Sequence, residues 1–234
     1  MNYTYDFASI PGLIIKIFQA FPLTMGILLI SLVISLAIGA LVTVGALSKN
    51  HIVQAISKGY ISFMRGIPTL VLIFLLYLGL PQVLKDFGID IGCWNKAIFI
   101  IATLSLNTSA NMAEMMRASY LAVDKGQREA AYSVGMKPFT AFRRIIFPQA
   151  FGIAIPTLGN NIILLFKETS LGFTIGVIDI LGKARAISAA SFGANKLEVY
   201  IASAVIYWII CVVLEQGSKY VEKMYTRGRK KATS

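Results

Sequence analysis

The chain has 234 residues, of which 56% are hydrophobic and 14% are charged, and its mean hydropathy is +0.71. Soluble domains carry about 25% charged residues. Because so few polar side chains could not cover a water-soluble globule, the composition excludes a soluble protein and predicts an all-α membrane protein. The 22 basic against 11 acidic residues give a net charge of +11. In so apolar a chain this surplus points to a lipid bilayer rather than to nucleic acid.

About 20 mostly apolar residues suffice for a helix to cross a bilayer. Five segments meet this length and predict spans at residues 20–47, 61–80, 97–116, 151–168 and 197–214, within a single transmembrane domain over residues 1–234. The third is more polar than the others. Between the fourth and fifth, the apolar run 170–187 is interrupted by glycines and charges, which predicts a short broken or re-entrant helix.

One stripe of small residues runs along the first span. Its members, four residues apart, are Ser31, Ser35, Gly39 and Thr43. Small residues on one helical face let two helices approach closely in lipid. The stripe therefore predicts a packing face.

Basic residues are unevenly distributed along the chain. They concentrate in the first connection, in segment 117–148 and in the tail after Leu214. By the positive-inside rule, these regions are expected in the cytoplasm and the N-terminus outside, which is the orientation that five spans require. Four cations from the end of the fourth span to the start of the fifth do not fit this alternation: Lys167, Lys183, Arg185 and Lys196.

Polar side chains inside two of the spans are candidates for a substrate pathway, because such residues are costly in lipid and usually face a cavity or a neighbour. They are Asn107, Asn111 and Glu114 in the third span, and Asn160, Asn161 and Glu168 in the fourth. Together they could hold a zwitterion, with Glu168 facing an ammonium group. Interhelical hydrogen bonding explains Asn107 and Asn111 equally well, and Glu114 could instead lie at the cytoplasmic end. Glu168 could instead pair with Lys167 or with a sister subunit.

Segment 117–148 is long for a connection, which is typical of a functional loop. It predicts two short helices. Gly135 suits the left-handed position after the first helix, and Pro138 suits the first turn of the second. An apolar stripe of Phe139, Phe142 and Ile146 then runs to Pro148, where the second helix should end and the fourth span begin.

The spacing within this segment resembles a known motif. Glu129-Ala130-Ala131, three residues, Gly135, nine residues, Ile145 and then Pro148 resemble the EAA motif of ATP-binding-cassette importer permeases. Only Phe147, where the family has Leu, departs from it. Segments 64–70, 77–81 and 156–160 further resemble the polar amino acid permeases, the family that carries glutamine, histidine, arginine and cystine.

The resemblance implies a type I importer permease in a bacterial cytoplasmic (inner) membrane. Such permeases pair with an identical or a sister chain, two ATPase subunits lie beneath them, and an extracytoplasmic solute-binding protein docks above. It also implies that the 117–148 hairpin is the coupling helix that seats in the ATPase. The coupling residues would be Glu129, Ala130, Ala131, Gly135, Ile145 and Pro148.

The chain offers no ATP site of its own. A P-loop requires GxxxxGK[ST], and the nearest string, Gly176 to Ala184, has one residue too many and lacks the hydroxyl residue. The partner ATPase is therefore expected to bind ATP and Mg. The single histidine and two distant cysteines predict no metal site or disulfide framework, and no constellation of catalytic residues suggests an enzyme.

The substrate class depends on one departure from the family. Related permeases often have an acid after the Gly-Asn pair, where this chain has Asn161. One fewer acid favours a net-neutral amino acid such as glutamine or cystine over a cationic one. A self-sufficient channel or secondary carrier is the alternative of another class, although the chain lacks the internal repeat that many carriers show.

Overall fold

The computed structural model describes residues 6–230, with side chains for residues 6–225. Lys231 of the basic tail and the first five residues lie outside this range. The described residues form helices and no strand, which confirms the all-α prediction. The helices are α1 (Ile10–Phe18), α2 (Phe21–Ala46), α3 (His51–Gly66), α4 (Thr69–Asp86), α5 (Lys96–Leu121), α6 (Lys125–Ser133), α7 (Pro138–Ile175), α8 (Ile180–Ala190) and α9 (Lys196–Lys230).

Four of these helices are long and apolar enough to cross a membrane, namely α2, α4, α7 and α9. Helix α5 covers the predicted third span and has 26 residues. At 1.5 Å per residue it is about 39 Å long, which suffices for a bilayer. It packs against α2, α3, α4 and α7, so most of its Ser, Thr and Asn side chains are buried among other helices.

The prediction of the second span, 61–80, is wrong at its start. Residues 61–66 belong to α3, and the chain is extended at Ile67 and Pro68 before α4 begins at Thr69. Proline disfavours helical geometry in the residue before it and cannot donate a backbone hydrogen bond. The segment is therefore two helices separated by a break.

Pro148 does not end a helix, contrary to the prediction. Helix α7 runs continuously from the hairpin into the fourth span, through a π-helical segment at Phe142–Ile146. A second π segment, Leu75–Gly79, precedes Pro81 in α4. A π turn is wider than an α turn. The wider turn displaces the backbone carbonyl group with which the proline ring would clash in a regular α-helix. Both prolines thus lie inside long helices.

The stripe of small residues on α2 is confirmed as a packing face, since all four residues are buried. A Cβ atom at Gly39 would lie only 2.8 Å from Cβ of Met112 on α5. The Thr43 hydroxyl donates to the Ala113 carbonyl at 3.0 Å. This close contact makes the pair α2 and α5 the centre of the bundle.

The predicted broken helix between the fourth and fifth spans is also present. Helix α7 ends in a 3₁₀ turn, Gly176 is left-handed with φ +83°, and α8 begins after Asp179. The Asp179 carboxylate accepts from the Gly182 amide at 2.8 Å and from the Tyr207 hydroxyl at 3.3 Å. This buried acid therefore caps α8 and ties it to α9.

Candidate functional site

The hairpin of α6 and the start of α7 has the predicted local geometry. Asp124 caps α6 through the Gly126 amide at 2.7 Å. Gly135 has φ +76°, and the amides of Gly135 and Met136 bond back to the carbonyls of Tyr132 and Ala131. This pair of bonds is a Schellman motif, which favours glycine at the left-handed position. The turn between the two helices is therefore well defined.

The hairpin exposes an apolar surface, which we call the hairpin patch. Its members are Tyr132, Val134 and Phe139, with exposed fractions of 45%, 74% and 73%. Glu129 and Ala130 are also exposed, whereas Ala131 is buried against the hairpin. Large apolar side chains exposed close together on one short segment make the hairpin a candidate protein interaction site.

The predicted apolar stripe of the second helix is divided. Phe139 is exposed, but Ile146 is only 2% exposed and packs with Val123 and Ala150. The reason is the π segment at Phe142–Ile146, which changes the register of the helix and which helical periodicity alone cannot reveal. The two ends of the stripe thus face different surroundings.

Several contacts fasten the hairpin to the bundle. The Arg128 guanidinium lies over the Tyr120 ring, 4.9 Å from its centroid. The Tyr225 hydroxyl of α9 donates to the Pro148 carbonyl. Within α7 itself, the Gln149 amide donates to the carbonyl of Ile145, which is half-buried, at 3.0 Å. The hairpin is therefore attached to α5 through Tyr120 and to α9 through Tyr225.

Two of the predicted pathway residues meet in the bundle, and we call the result the Glu168 cluster. It consists of Thr69, Asn107 and Glu168. The Asn107 amide donates to the Thr69 hydroxyl at 2.9 Å, and that hydroxyl donates to the Glu168 carboxylate at 3.1 Å. Sequence reasoning missed Thr69, although its place directly after Pro68 marks the start of a helix.

Two further predicted residues, Asn111 and Asn161, line a separate cavity of about 400 Å³, here called the hairpin-side cavity. It lies between α5 and α7, towards the hairpin. Its wall also includes Glu114 and Arg65. The Glu114 carboxylate receives two bonds from the Arg117 guanidinium, at 2.7 Å and 2.9 Å. Asn161 lies 3.9 Å from the sulfur atoms of two methionines, and no described acid is bonded to it.

The prediction that Asn160 shares a cavity with the other candidates is wrong. Asn160 lines a smaller cavity of about 240 Å³ between α7 and α9, together with Ser218 and Lys219. Successive residues of an α-helix point about 100° apart, so Asn160 and Asn161 face different neighbours. Among the described residues, no group of three or more His, Cys, Asp or Glu side chains is arranged to hold a metal ion.

Comparison with known proteins gives consistent matches over most of the chain. Residues 35–227 match the family described as binding-protein-dependent transport system inner membrane component. The L-cystine transport system permease protein TcyL of Bacillus subtilis is 36% identical over 223 residues, 95% of this chain and 92% of that protein. The probable amino-acid permease protein YxeN of the same bacterium is 38% identical over 213 residues, 91% of each protein.

A similarity in both fold and sequence is found with the solved structure of a transporter. The crystal structure of an amino acid ABC transporter with histidines superposes with a TM-score of 0.83 at 30% sequence identity. The match covers 94% of this chain and 99% of that chain.

Proposed function

The chain belongs to the family of binding-protein-dependent transport system inner membrane components and is an amino-acid ABC importer permease; from this premise we propose that it carries a net-neutral polar amino acid through the Glu168 cluster. As a permease subunit the chain is not itself an enzyme, and a separate ATPase hydrolyses the ATP. ATPase and binding-protein partners follow from the family. Pairing with a second permease chain, identical or sister, is part of the proposal.

The hairpin patch is the proposed docking surface for the ATPase. Its exposed Val134 and Phe139 supply apolar area, and the exposed Glu129 supplies a charge beside it. Gly135 sets the turn between the two helices. The continuous helix α7, which contains Ile145, and the contact of Pro148 with α9 would pass ATPase movement to the spans, and ATP and Mg would bind only to the ATPase.

The Glu168 cluster is the proposed binding site for the substrate. It offers a carboxylate for an α-ammonium group, and a hydroxyl and an amide for further hydrogen bonds. Polar groups at this depth in a bundle are costly and commonly mark a pathway. The pathway would continue to Asn111 and Asn161 in the hairpin-side cavity. Asn160 is left out, because it faces another cavity.

A net-neutral substrate is favoured by the small number of acids. Glu168 is the one carboxylate of its cluster. It can pair with the α-ammonium group of a substrate, and the cluster then has no second carboxylate for a cationic side chain. Asn161 has methionine sulfur atoms as its neighbours. Glutamine and cystine are therefore the proposed substrates.

The proposed location is the bacterial cytoplasmic membrane, with α5 as a fifth span beside the four apolar helices. The N-terminus would lie outside, and the hairpin and the C-terminus in the cytoplasm. The positive-inside rule supports this orientation, because the hairpin segment carries Arg128, Lys137, Arg143 and Arg144.

Uptake by the full complex in liposomes tests the proposal. The permease, its ATPase and its binding protein would be reconstituted, and the uptake of L-glutamine, L-cystine and L-arginine compared. ATP-dependent uptake of glutamine or cystine is expected, and Glu168→Gln should reduce it at least tenfold. Preferred uptake of arginine would instead support the cationic alternative. Flux through the permease chain alone would contradict an ATP-driven importer and support a channel or carrier.

A further inference from the structure

Helix α3 has an exposed apolar stripe that the proposed function does not use. Ile52, Ile56, Gly59 and Phe63 follow one another at intervals of four, three and four residues, which places them on one face of the helix. The exposed fractions of Ile52, Ile56 and Phe63 are 71%, 68% and 58%. The described residues of the chain therefore leave this face, the α3 stripe, largely uncovered.

The opposite side of α3 is fixed in the bundle. Ile61 is buried together with Ala46 of α2 and Ala113 of α5. The Tyr60 hydroxyl bonds to the Leu106 carbonyl of α5 at 3.0 Å. These contacts determine the rotation of α3, so the α3 stripe faces away from α2 and α5.

Two lysines lie where α2 leaves its apolar segment. Residues 27–47 contain no charge, and Lys49 follows them closely. A Cβ atom at Gly45, in the last turn of α2, would overlap the side chain of Ser57. Ser57 and the adjacent Lys58 therefore also lie beside the end of α2. Both lysines are exposed, and neither forms an ion pair with a described residue.

The charged side chains of this segment are all basic. Residues 47–66 contain Lys49, Lys58 and Arg65 and neither Asp nor Glu. Arg65 lines the hairpin-side cavity, which leaves the two lysines beside the α3 stripe. An apolar face with lysines on another face is typical of a helix at a membrane surface, and basic residues next to the cytoplasmic end of a span attract anionic headgroups.

We propose that α3 binds anionic phospholipids, whose acyl chains pack on the α3 stripe and whose headgroups pair with Lys49 and Lys58. A lysine side chain can keep its methylene groups on an apolar surface while its ammonium group reaches the headgroups. The inference goes beyond the proposed function and uses only the proposed cytoplasmic position of the end of α2. Bound lipid would hold α3 in place directly before the break at Ile67 and Pro68, which leads to Thr69 of the Glu168 cluster.

A second copy of the chain fits this face less well than a lipid does. If two α3 helices met across a two-fold axis, the same surface of both chains would be in contact. The lysines of one copy would then approach those of the other, and like charges repel. An anionic phospholipid supplies both the negative charge and the apolar surface that this face lacks.

Photocrosslinking from position 63 identifies what covers the α3 stripe. Phe63 would be replaced by the photoreactive residue p-benzoylphenylalanine in the full complex with the ATPase and the binding protein, reconstituted in vesicles of equal phosphatidylglycerol and phosphatidylcholine. Mass spectrometry of the permease should find at least threefold more crosslinked phosphatidylglycerol than phosphatidylcholine. Each cation near an anionic surface strengthens binding about fivefold, so Lys49→Gln with Lys58→Gln should bring the two lipids to nearly equal labelling.

Three controls separate the two lysines from general effects. Lys49→Arg with Lys58→Arg keeps the charge and should keep the preference for phosphatidylglycerol. Lys85→Gln with Lys196→Gln removes the same charge from exposed positions elsewhere and should also keep it. The same photoreactive residue at Val33, an exposed position of the uncharged helix α2, should label both lipids equally.

Equal labelling of the two lipids from position 63 in the presence of both lysines would overturn the headgroup site, as would an unchanged preference in Lys49→Gln with Lys58→Gln. Crosslinks to a second permease chain or to the ATPase in place of lipid would overturn the lipid assignment. The readout does not require transport. Absence of amino acid uptake by the wild-type complex would therefore refute the proposed function without bearing on the lipid site.

Discussion

The hydroxyl of Thr69 donates to the carboxylate of Glu168 across 3.1 Å, although 99 residues separate them in the chain. The bond joins the first residue of α4 to the second half of α7. It places a carboxylate directly beside the break between α3 and α4. The break and the acid are therefore parts of one site.

Replacing Thr69 with valine removes the donor and keeps the shape of the side chain. A hydrogen bond to a charged group contributes about 1.5–3 kcal/mol, so Thr69→Val should lower the uptake rate at low substrate concentration about tenfold or more. Thr174→Val is the control, because the Thr174 hydroxyl bonds only to the nearby Leu171 carbonyl. Equal uptake kinetics in the two variants would argue against a substrate role for the cluster.

Removing apolar area from the hairpin patch should weaken ATPase association. Burial of a large apolar side chain contributes about 1.5–3 kcal/mol, and both Val134 and Phe139 are exposed in the permease chain. At least tenfold less ATPase should co-purify with the double variant Val134→Ala with Phe139→Ala than with the wild-type permease. The matched control, Ile56→Ala with Phe63→Ala, removes exposed apolar side chains from α3. The same loss in both double variants would mean that the effect is not specific to the patch.

Gly135 should not tolerate a side chain, although space around it is open. An ideal Cβ atom there would meet nothing within 4 Å, but φ is +76°. A left-handed conformation costs a residue with a Cβ atom about 1–2 kcal/mol. Gly135→Ala should therefore increase protease cleavage in the hairpin severalfold and weaken coupling of ATP hydrolysis to uptake.

Gly59→Ala is the control for that experiment. Gly59 lies within α3, has open space around it and no positive φ, so alanine should be neutral or slightly stabilising there. If Gly135→Ala behaved like Gly59→Ala in cleavage and coupling, the strained turn would not matter for function.

A side chain at Gly39 should separate α2 from α5. A Cβ atom there would lie 2.8 Å from Met112 Cβ and 3.0 Å from the Ser109 carbonyl oxygen. Overpacking of this kind typically costs about 1–3 kcal/mol, so Gly39→Val should lower the apparent Tm of the purified permease. Gly26→Val, on the same helix with nothing within 4 Å of the added Cβ, should leave the Tm near that of the wild type. A normal Tm for Gly39→Val would contradict the close contact.

Local features of the hairpin were predictable because local sterics decide them. A glycine after a helix and a proline shortly beyond it specify a left-handed turn and a new helix start, as found at Gly135 and Pro138. The same reasoning failed at Pro148. Whether a proline ends a helix depends on the turn before it, and a π segment at Phe142–Ile146 has no simple sequence pattern.

The sequence by itself determined the membrane class and the packing stripe on α2, because composition and helical period express them directly. Only the tertiary structure decided which polar residues meet. Asn107 and Glu168 are joined through Thr69, Asn111 and Asn161 share a cavity with Arg65, and Asn160 faces elsewhere. Spacing places residues on one face of a helix, but the rotation and crossing of neighbouring helices determine what that face meets.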